Sequence, residues 1–228
     1  MNNQFKKLAL LVALAVGVVS SCKKDDSSHQ AEKPFVISEY YIAGTITPKS
    51  GSYTSVYLIK LLEDNKAVFV GTGNDLRGEY SLTKDSLIVT IPDPNNYRTA
   101  RFAINSEHQL TSSYYRALTT EYGSTGNLLK IEENNQLAGK VFKGEEFKMG
   151  PVSFRKDLNY KFNGSGLTLG SGIDLNAIDD EGITYELINN SAFKYKSGST
   201  TEIGFLSNNQ LTVFRSSGLF YYGRYAQQ

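Results

Sequence analysis

Few side chains in this sequence have the type and spacing needed for acid–base or nucleophilic chemistry. The 228-residue chain contains one cysteine, Cys22, and two histidines, His29 and His108. His108 lies in a turn-like segment without a nearby cysteine or second histidine, so a metal-ligand set is missing there. No G-x-S-x-G segment, phosphate-binding loop or dinucleotide fingerprint occurs in the sequence. We therefore predict no catalytic residue and no cofactor; a hydrolase whose site assembles only in space is an alternative.

The densest acidic stretch, residues 174–181, is the one candidate for a cation site. Asp174, Asp179, Asp180 and Glu181 offer the hard oxygen ligands that calcium prefers. The spacing departs from that of an EF-hand loop, because Ile178 stands at the fifth position and Asp179 takes the place of the required glycine. We expect a solvated loop here and no bound calcium.

Tyrosine pairs are the candidates for binding a ligand or a partner. They are Tyr114 with Tyr115, and Tyr221 with Tyr222 and the nearby Tyr225. Successive side chains of a strand point to opposite faces, so one ring of each pair should fill the core. The other ring is then available to stack on a ligand or protein. The absence of tryptophan weakens the case for a sugar-stacking platform.

The N-terminal residues suggest a separate chemistry for Cys22. Lys6 and Lys7 precede an apolar run over residues 8–19 that is too short to cross a bilayer. This order predicts a signal peptide over residues 1–21. Together with the small residues before Cys22, it resembles the lipobox of bacterial lipoproteins. The resemblance implies cleavage before Cys22 and acylation of its thiol, and several acyl chains anchor a protein stably to a membrane.

Two further short motifs are consistent with the same localisation. Lys23, Lys24, Asp25 and Asp26 resemble the export signal of Bacteroidota lipoproteins, which implies an outer-membrane protein exposed on the cell surface. Residues 22–34 are polar and without periodicity, so we expect a flexible tether in which His29 has no ligand role. Asp85-Ser86-Leu87 resembles the Bacteroidota O-glycosylation motif, which makes Ser86 a candidate for a glycan.

From Phe35 to the end, the sequence predicts an all-β, antiparallel fold. Short runs rich in Tyr, Phe, Val, Ile and Thr are separated by Gly, Asn, Asp, Pro and Ser, and no long segment has a helical period. The predicted strands are 40–47, 55–62, 67–70, 78–82, 86–91, 98–104, 109–115, 136–142, 152–155, 159–162, 184–188, 192–195, 201–206, 210–214 and 219–224.

The two halves of this pattern resemble each other, which predicts an internal duplication. Residues 42–46 match 137–141, residues 79–82 match 184–187, and residues 109–111 match 210–212, in the same order along the chain. The second copy is longer over residues 164–181, and loops accept such insertions at little cost. We expect a first lobe at 35–125, a linker at 126–135 and a second lobe at 136–228. A single β-rich domain completed by both copies is the alternative.

A strand with the pattern Gly78-x-Tyr80-x-Leu82, followed by a turn and Ser86-Leu87, resembles the middle of lipocalin-like domains in bacterial lipoproteins. The resemblance covers about 40 residues of the first copy. It implies that each lobe is an up-and-down β-barrel or half-barrel with room for a ligand in its mouth.

These features lead to three functional hypotheses. The first is a lipid-anchored, non-catalytic binding module for a small molecule, a glycan or an envelope protein. The second is a structural or assembly accessory lipoprotein of an outer-membrane complex, and the third is a hydrolase whose site assembles only in space.

Removal of residues 1–21 takes away two of 24 basic side chains and none of 23 acidic ones. The nearly neutral remainder argues against nucleic acid as a partner.

Overall fold

Apolar side chains that recur at every second position produce antiparallel strands, and these strands form two sheets. The computed structural model describes residues 34–51 and 53–228. The predicted signal peptide, His29, Cys22, Lys23, Lys24, Asp25 and Asp26 lie outside the described residues. The compact unit Val36–Gln228 contains both sheets and all of the hydrophobic cores described below.

The first sheet closes into an eight-stranded barrel. The barrel consists of β1 Tyr40–Pro48, β2 Ser55–Leu61, β3 Lys66–Val70, β4 Leu76–Leu82, β5 Ser86–Ile91, β6 Arg98–Ile104, β7 Leu110–Ala117 and β8 Thr120–Ser124, and the same sheet has a ninth strand, β9 Asn127–Lys130. Each strand from β1 to β8 pairs with its neighbours in the sequence, and β8 returns to pair with β1. β1 is shared at this closure, since Thr47 lies opposite Gly123 of β8 and Ile42 lies opposite Leu128 of β9.

The second sheet forms a nearly closed barrel of nine strands. They are β10 Val141–Lys148, β11 Val152–Phe162, β12 Thr168–Gly172, β13 Ile183–Thr184, β14 Glu186–Ile188, β15 Ala192–Ser197, β16 Thr200–Ser207, β17 Gln210–Ser217 and β18 Leu219–Gln227. β13 and β14 are the two ends of the open sheet and are separated by Tyr185 alone. The all-β, antiparallel prediction is therefore confirmed, with barrels in both halves.

The barrels pack against each other through strands that are buried on both faces. β1, β2, β16 and β17 each contain four or five consecutive buried residues, whereas β5 alternates. Inward-facing residues of β1 and β2, such as Ile42 and Tyr57, belong to the core of the first barrel. Their neighbours Tyr41 and Leu58 belong to a third core that includes Phe205 and other residues of the second barrel. A buried hydrogen bond of 2.8 Å between the hydroxyls of Tyr41 and Ser191 also joins the two barrels.

Helical structure is limited to two 3₁₀ turns, Ile37–Glu39 and Leu175–Ala177, within the part of the chain that the structure describes. Over the same residues, no helix combines the length and apolar character required to span a bilayer.

One predicted strand, 136–142, is wrong over most of its length. β10 begins at Val141, and the preceding residues form turns. The Asn135 Oδ1 atom accepts a hydrogen bond from the Leu137 N–H at 2.9 Å, and Gly139 adopts φ +71°, a left-handed turn conformation that glycine accepts without strain. The match of Gly139 to Gly44 is therefore wrong too, because Gly44 lies within β1.

Other strands were missed or divided by the sequence pattern. β8 was not predicted, β9 lies inside the segment 126–135 predicted as a linker, and the predicted strands 152–155 and 159–162 are both parts of β11. β12 lies inside the predicted insertion 164–181, where the glycines make the sequence resemble that of a loop. Gly170 is required there, because a Cβ atom at this position would lie 2.2 Å from the Asp179 carbonyl oxygen.

Candidate functional site

An open cavity of about 400 Å³ lies at one end of the first barrel. We call it the mouth cavity. It is formed where β1, β3 and β7 end and where β2, β4 and β6 begin. Its described lining residues are Ile46, Tyr53, Ser55, Val56, Phe69, Gly71, Thr72, Gly73, Asn74, Leu76, Asn96, Arg98, Tyr115, Ala117, Tyr122, Phe214 and Phe220.

Aromatic rings provide much of the apolar surface of the mouth cavity. Tyr57, Phe69 and Tyr115 stack on one another in the first barrel, with ring centroids 5.6–5.8 Å apart. The opposite wall comes from the second barrel, whose Phe214 and Phe220 pack against Tyr53 of the β1–β2 loop. The site is therefore built by both barrels.

The β3–β4 loop forms part of the rim, and the second barrel holds it in place. The Nζ atom of Lys194 in β15 donates to the Gly73 carbonyl oxygen at 2.8 Å and pairs with the Asp75 carboxylate at 3.2 Å. The Lys194 side chain is 14% exposed, so this contact is shielded from water better than most surface ion pairs. It fixes the loop through two groups of the same short segment.

Arg98 brings a positive charge to the mouth cavity. Its guanidinium carbon lies 5.3 Å from the centroid of the Phe69 ring, and its Nη1 atom donates to the Asn96 carbonyl oxygen at 2.8 Å. Burial raises the pKa of the neighbouring Tyr115 phenol to about 12, and the Arg98 charge and a hydrogen bond from Arg98 lower it by smaller amounts. Tyr115 is therefore a neutral hydrogen-bonding group at physiological pH.

The corresponding end of the second barrel is filled by charged side chains. There Glu146, Arg155, Glu202 and Arg215 form a cluster that we call the charge network. The Glu146 carboxylate is 2.7 Å from the Arg155 guanidinium and accepts from the Nη2 atom of Arg215 at 2.8 Å. The Arg215 Nε atom lies 3.4 Å from Glu202, and the ring of Tyr221 covers the Arg215 guanidinium at 3.8 Å. Carboxylates and guanidiniums thus occupy the space that stays open in the first barrel.

Glu202 has the most altered acidity within the charge network. Burial raises the pKa of its carboxyl group to about 7, while Arg215 and hydrogen bonds from Tyr195 and Tyr160 lower it by smaller amounts. The Tyr160 hydroxyl lies 3.2 Å from the Glu202 Oε2 atom. A raised pKa of this size leaves the carboxyl group partly protonated near neutral pH.

The structure separates the five tyrosines predicted as binding residues. Tyr115 lies at the floor of the mouth cavity, but Tyr114 points outward and donates to the Glu121 carboxylate at 3.0 Å. Tyr225 is buried against Tyr160 in the second barrel, Tyr222 packs in the core between the barrels, and Tyr221 covers Arg215. Tyr115 is thus the member of the predicted set that reaches the mouth cavity.

The other sequence candidates lie elsewhere. Ser86 is half-buried at the start of β5, with its hydroxyl 2.8 Å from that of Thr83. His108 is exposed in the β6–β7 turn at φ 58°. In the acidic stretch, Asp174 and Asp179 accept hydrogen bonds from backbone N–H groups two residues later, at 3.0 Å each. Within residues 34–51 and 53–228, no group of three His, Cys, Asp or Glu side chains could hold a metal ion.

Sequence reasoning did not identify Arg98 or the charge network. A signal for Arg98 was present, because it lies at every-second-residue spacing from Ala100 and Phe102 in β6. It therefore shares the face of the strand with which these two residues line the barrel interior. Glu202 gave no such signal, since β16 is buried on both faces and its pattern does not separate inside from outside. Glu146 gave no signal either, because the predicted strand ends at Phe142 and the residues that follow it are mostly polar.

Comparisons with protein-family models, with curated proteins and with solved structures found no match to this chain. The geometry of the mouth cavity and of the charge network is therefore what indicates a function.

Proposed function

We propose that this protein is a non-catalytic binding module that takes a small, largely apolar molecule into the mouth cavity. The observation that carries the proposal is the difference between the barrels. The second barrel fills this end with its own side chains, whereas the first leaves about 400 Å³ open to solvent. Ligand sites commonly have volumes of about 300–1,000 Å³.

The lining suits a small molecule better than a flat partner surface. Rings of Tyr53, Phe69 and Phe220 surround a concave space, and Ser55 and Asn96 add neutral hydrogen-bonding groups. A concave site that combines aromatic side chains with a few well-placed polar groups is the usual form of a small-molecule site.

Filling the mouth cavity should abolish binding of an apolar probe. We expect residues 23–228, which include the whole compact unit, to bind the neutral fluorophore N-phenyl-1-naphthylamine. Ala117→Phe adds a ring inside the cavity and should weaken binding at least tenfold, measured by fluorescence titration. Ala226→Phe adds the same ring at an exposed position of β18 and should leave the affinity within twofold.

Either of two results would contradict this proposal. One is a wild-type protein that does not bind the probe, and the other is equal binding by the Ala117→Phe and Ala226→Phe variants. A structural or assembly accessory role would then be the better candidate, to be pursued by crosslinking on intact cells.

We further propose that Cys22 anchors the module to the outer membrane, with exposure at the cell surface. Support comes from the lipobox-like residues 1–22 and the Lys23-Lys24-Asp25-Asp26 segment that follows. Cys22→Ser should eliminate incorporation of radiolabelled palmitate into the full chain in the source cells, because the acylated thiol is removed. Ser21→Ala keeps a small residue before the cysteine and should retain labelling. Undiminished labelling of Cys22→Ser would refute the assignment.

A further inference from the structure

The charge of the mouth cavity indicates what kind of molecule enters it. Among its described lining residues, Arg98 has the one charged side chain. No carboxylate of the described residues forms an ion pair with Arg98, although Asp93 lies near enough for Arg98 to contribute slightly to its lowered pKa. The guanidinium is thus held at the edge of an apolar space without a close counter-ion.

Part of the Arg98 guanidinium remains available for a ligand. One N–H group donates to the Asn96 carbonyl oxygen, a second polar contact is a hydrogen bond to the Tyr115 hydroxyl, and one face lies over the Phe69 ring. A guanidinium has five N–H donors in a fixed plane, and two of them match the oxygens of a carboxylate. Stacking on Phe69 restricts the orientation of this plane, so less conformational entropy is lost when a ligand binds.

The second barrel shows how an inward-facing arginine at this end is neutralised. Arg215 faces the Glu146 and Glu202 carboxylates of the same chain, at 2.8 and 3.4 Å. A partly buried cation is costly unless an anion accompanies it. In the first barrel, the described part of the chain supplies no equivalent carboxylate in contact with Arg98, so an anion from outside can take that place.

We infer that the ligand of the mouth cavity is an anionic amphiphile, with an apolar ring or chain between the aromatic walls and one carboxylate or sulfonate on Arg98. This inference rests on the proposed binding function. Its length is limited, because a volume of about 400 Å³ holds a molecule of roughly 15–25 non-hydrogen atoms. Arg98 is the specificity-determining residue, and Tyr115 supports the anion with a neutral hydroxyl.

The test uses two probes that differ in one charged group. 8-Anilino-1-naphthalenesulfonate has the ring frame of N-phenyl-1-naphthylamine together with a sulfonate. Arg98→Met should weaken sulfonate binding about tenfold, the effect of losing one charge-assisted hydrogen bond, and change neutral-probe binding less than twofold. Arg98→Lys should recover part of the sulfonate affinity because it restores the charge.

Arg101→Met is the matched control. Arg101 lies three residues further along β6, also near an aromatic ring, with its guanidinium carbon 5.8 Å from the Tyr114 centroid, but it points outward. Its replacement should leave the affinity for both probes within twofold. Circular dichroism and thermal unfolding of each variant would verify that Arg98→Met is folded.

The two probes and the variants distinguish a failure of the anion inference from a failure of the proposed binding function. If the neutral probe binds in a manner blocked by Ala117→Phe but Arg98→Met leaves sulfonate binding unchanged, the anion inference is wrong and the binding function stands. Equal weakening of both probes by Arg98→Met would also overturn the inference, since Arg98 would then act through packing. If neither probe binds the wild-type protein, both proposals fall.

Discussion

Replacing Glu146 with glutamine is expected to lower the free energy of unfolding by about 3 kcal/mol. The Glu146 side chain is 2% exposed and accepts hydrogen bonds from both Arg155 and Arg215. Glutamine keeps the size of the side chain and removes its charge. Two guanidiniums then remain in a poorly hydrated space with Glu202 as the remaining carboxylate partner, and a buried charge that loses its partner is strongly destabilising. Equilibrium unfolding in urea measures the change.

The adjacent residue provides the control for this substitution. Glu145 points to the opposite face of β10, where its carboxylate accepts a hydrogen bond from the Ser153 hydroxyl. Glu145→Gln should change the free energy of unfolding by less than about 0.5 kcal/mol, as is usual for surface positions outside a buried charge cluster. If the two variants lose the same stability, the charge network contributes nothing beyond a surface pair.

Stability should fall as the pH rises from 5 to 8, and Glu202 should be the cause. The folded state holds the Glu202 proton with a pKa of about 7, whereas the unfolded chain releases it near the ordinary value of 4.5. Between these values the folded state binds more protons, so the free energy of unfolding decreases with pH. The contribution is fully present below pH 4.5 and lost as the pH passes 7. Its size is on the order of 3 kcal/mol, since one pKa unit corresponds to about 1.4 kcal/mol.

Urea unfolding at several pH values between 5 and 8 tests this expectation. Glu202→Gln should remove most of the slope, because glutamine does not titrate and still accepts hydrogen bonds from Tyr160. Glu107→Gln, at an exposed turn position, should keep the wild-type slope. A steep slope that persists in Glu202→Gln would show that another group titrates.

Much of the fold could be predicted because most strands expose one face and bury the other. β5 and β6 have the predicted bounds, since alternating apolar residues and flanking turn residues define both ends. The failures have local causes. The apolar Leu137 is buried in a turn whose geometry is set by Asn135 and Gly139, and β12 is a glycine-rich strand stabilised by its neighbours. Pattern alone does not reveal such tertiary contacts.

The candidate site was less accessible to prediction. Lining residues come from seven strands and several loops of one barrel and from two strands of the other, so sequence spacing does not bring them together. Tyr115 was among the predicted residues because a tyrosine pair in a strand must place one ring inside. Phe214 and Phe220 were not, since their role depends on how the barrels pack.

The doubly buried strands at the contact between the barrels have a consequence for the chain as a whole. Tyr41, Leu58 and Phe205 occupy faces that would meet water if either barrel stood alone. Each half therefore covers an apolar surface of the other, as the two subunits of an obligate homodimer do, and the interface resembles a protein core. A half without its partner would expose this apolar patch to water and tend to self-associate. Joining the halves in one polypeptide fixes their stoichiometry and supplies the mate at high effective concentration.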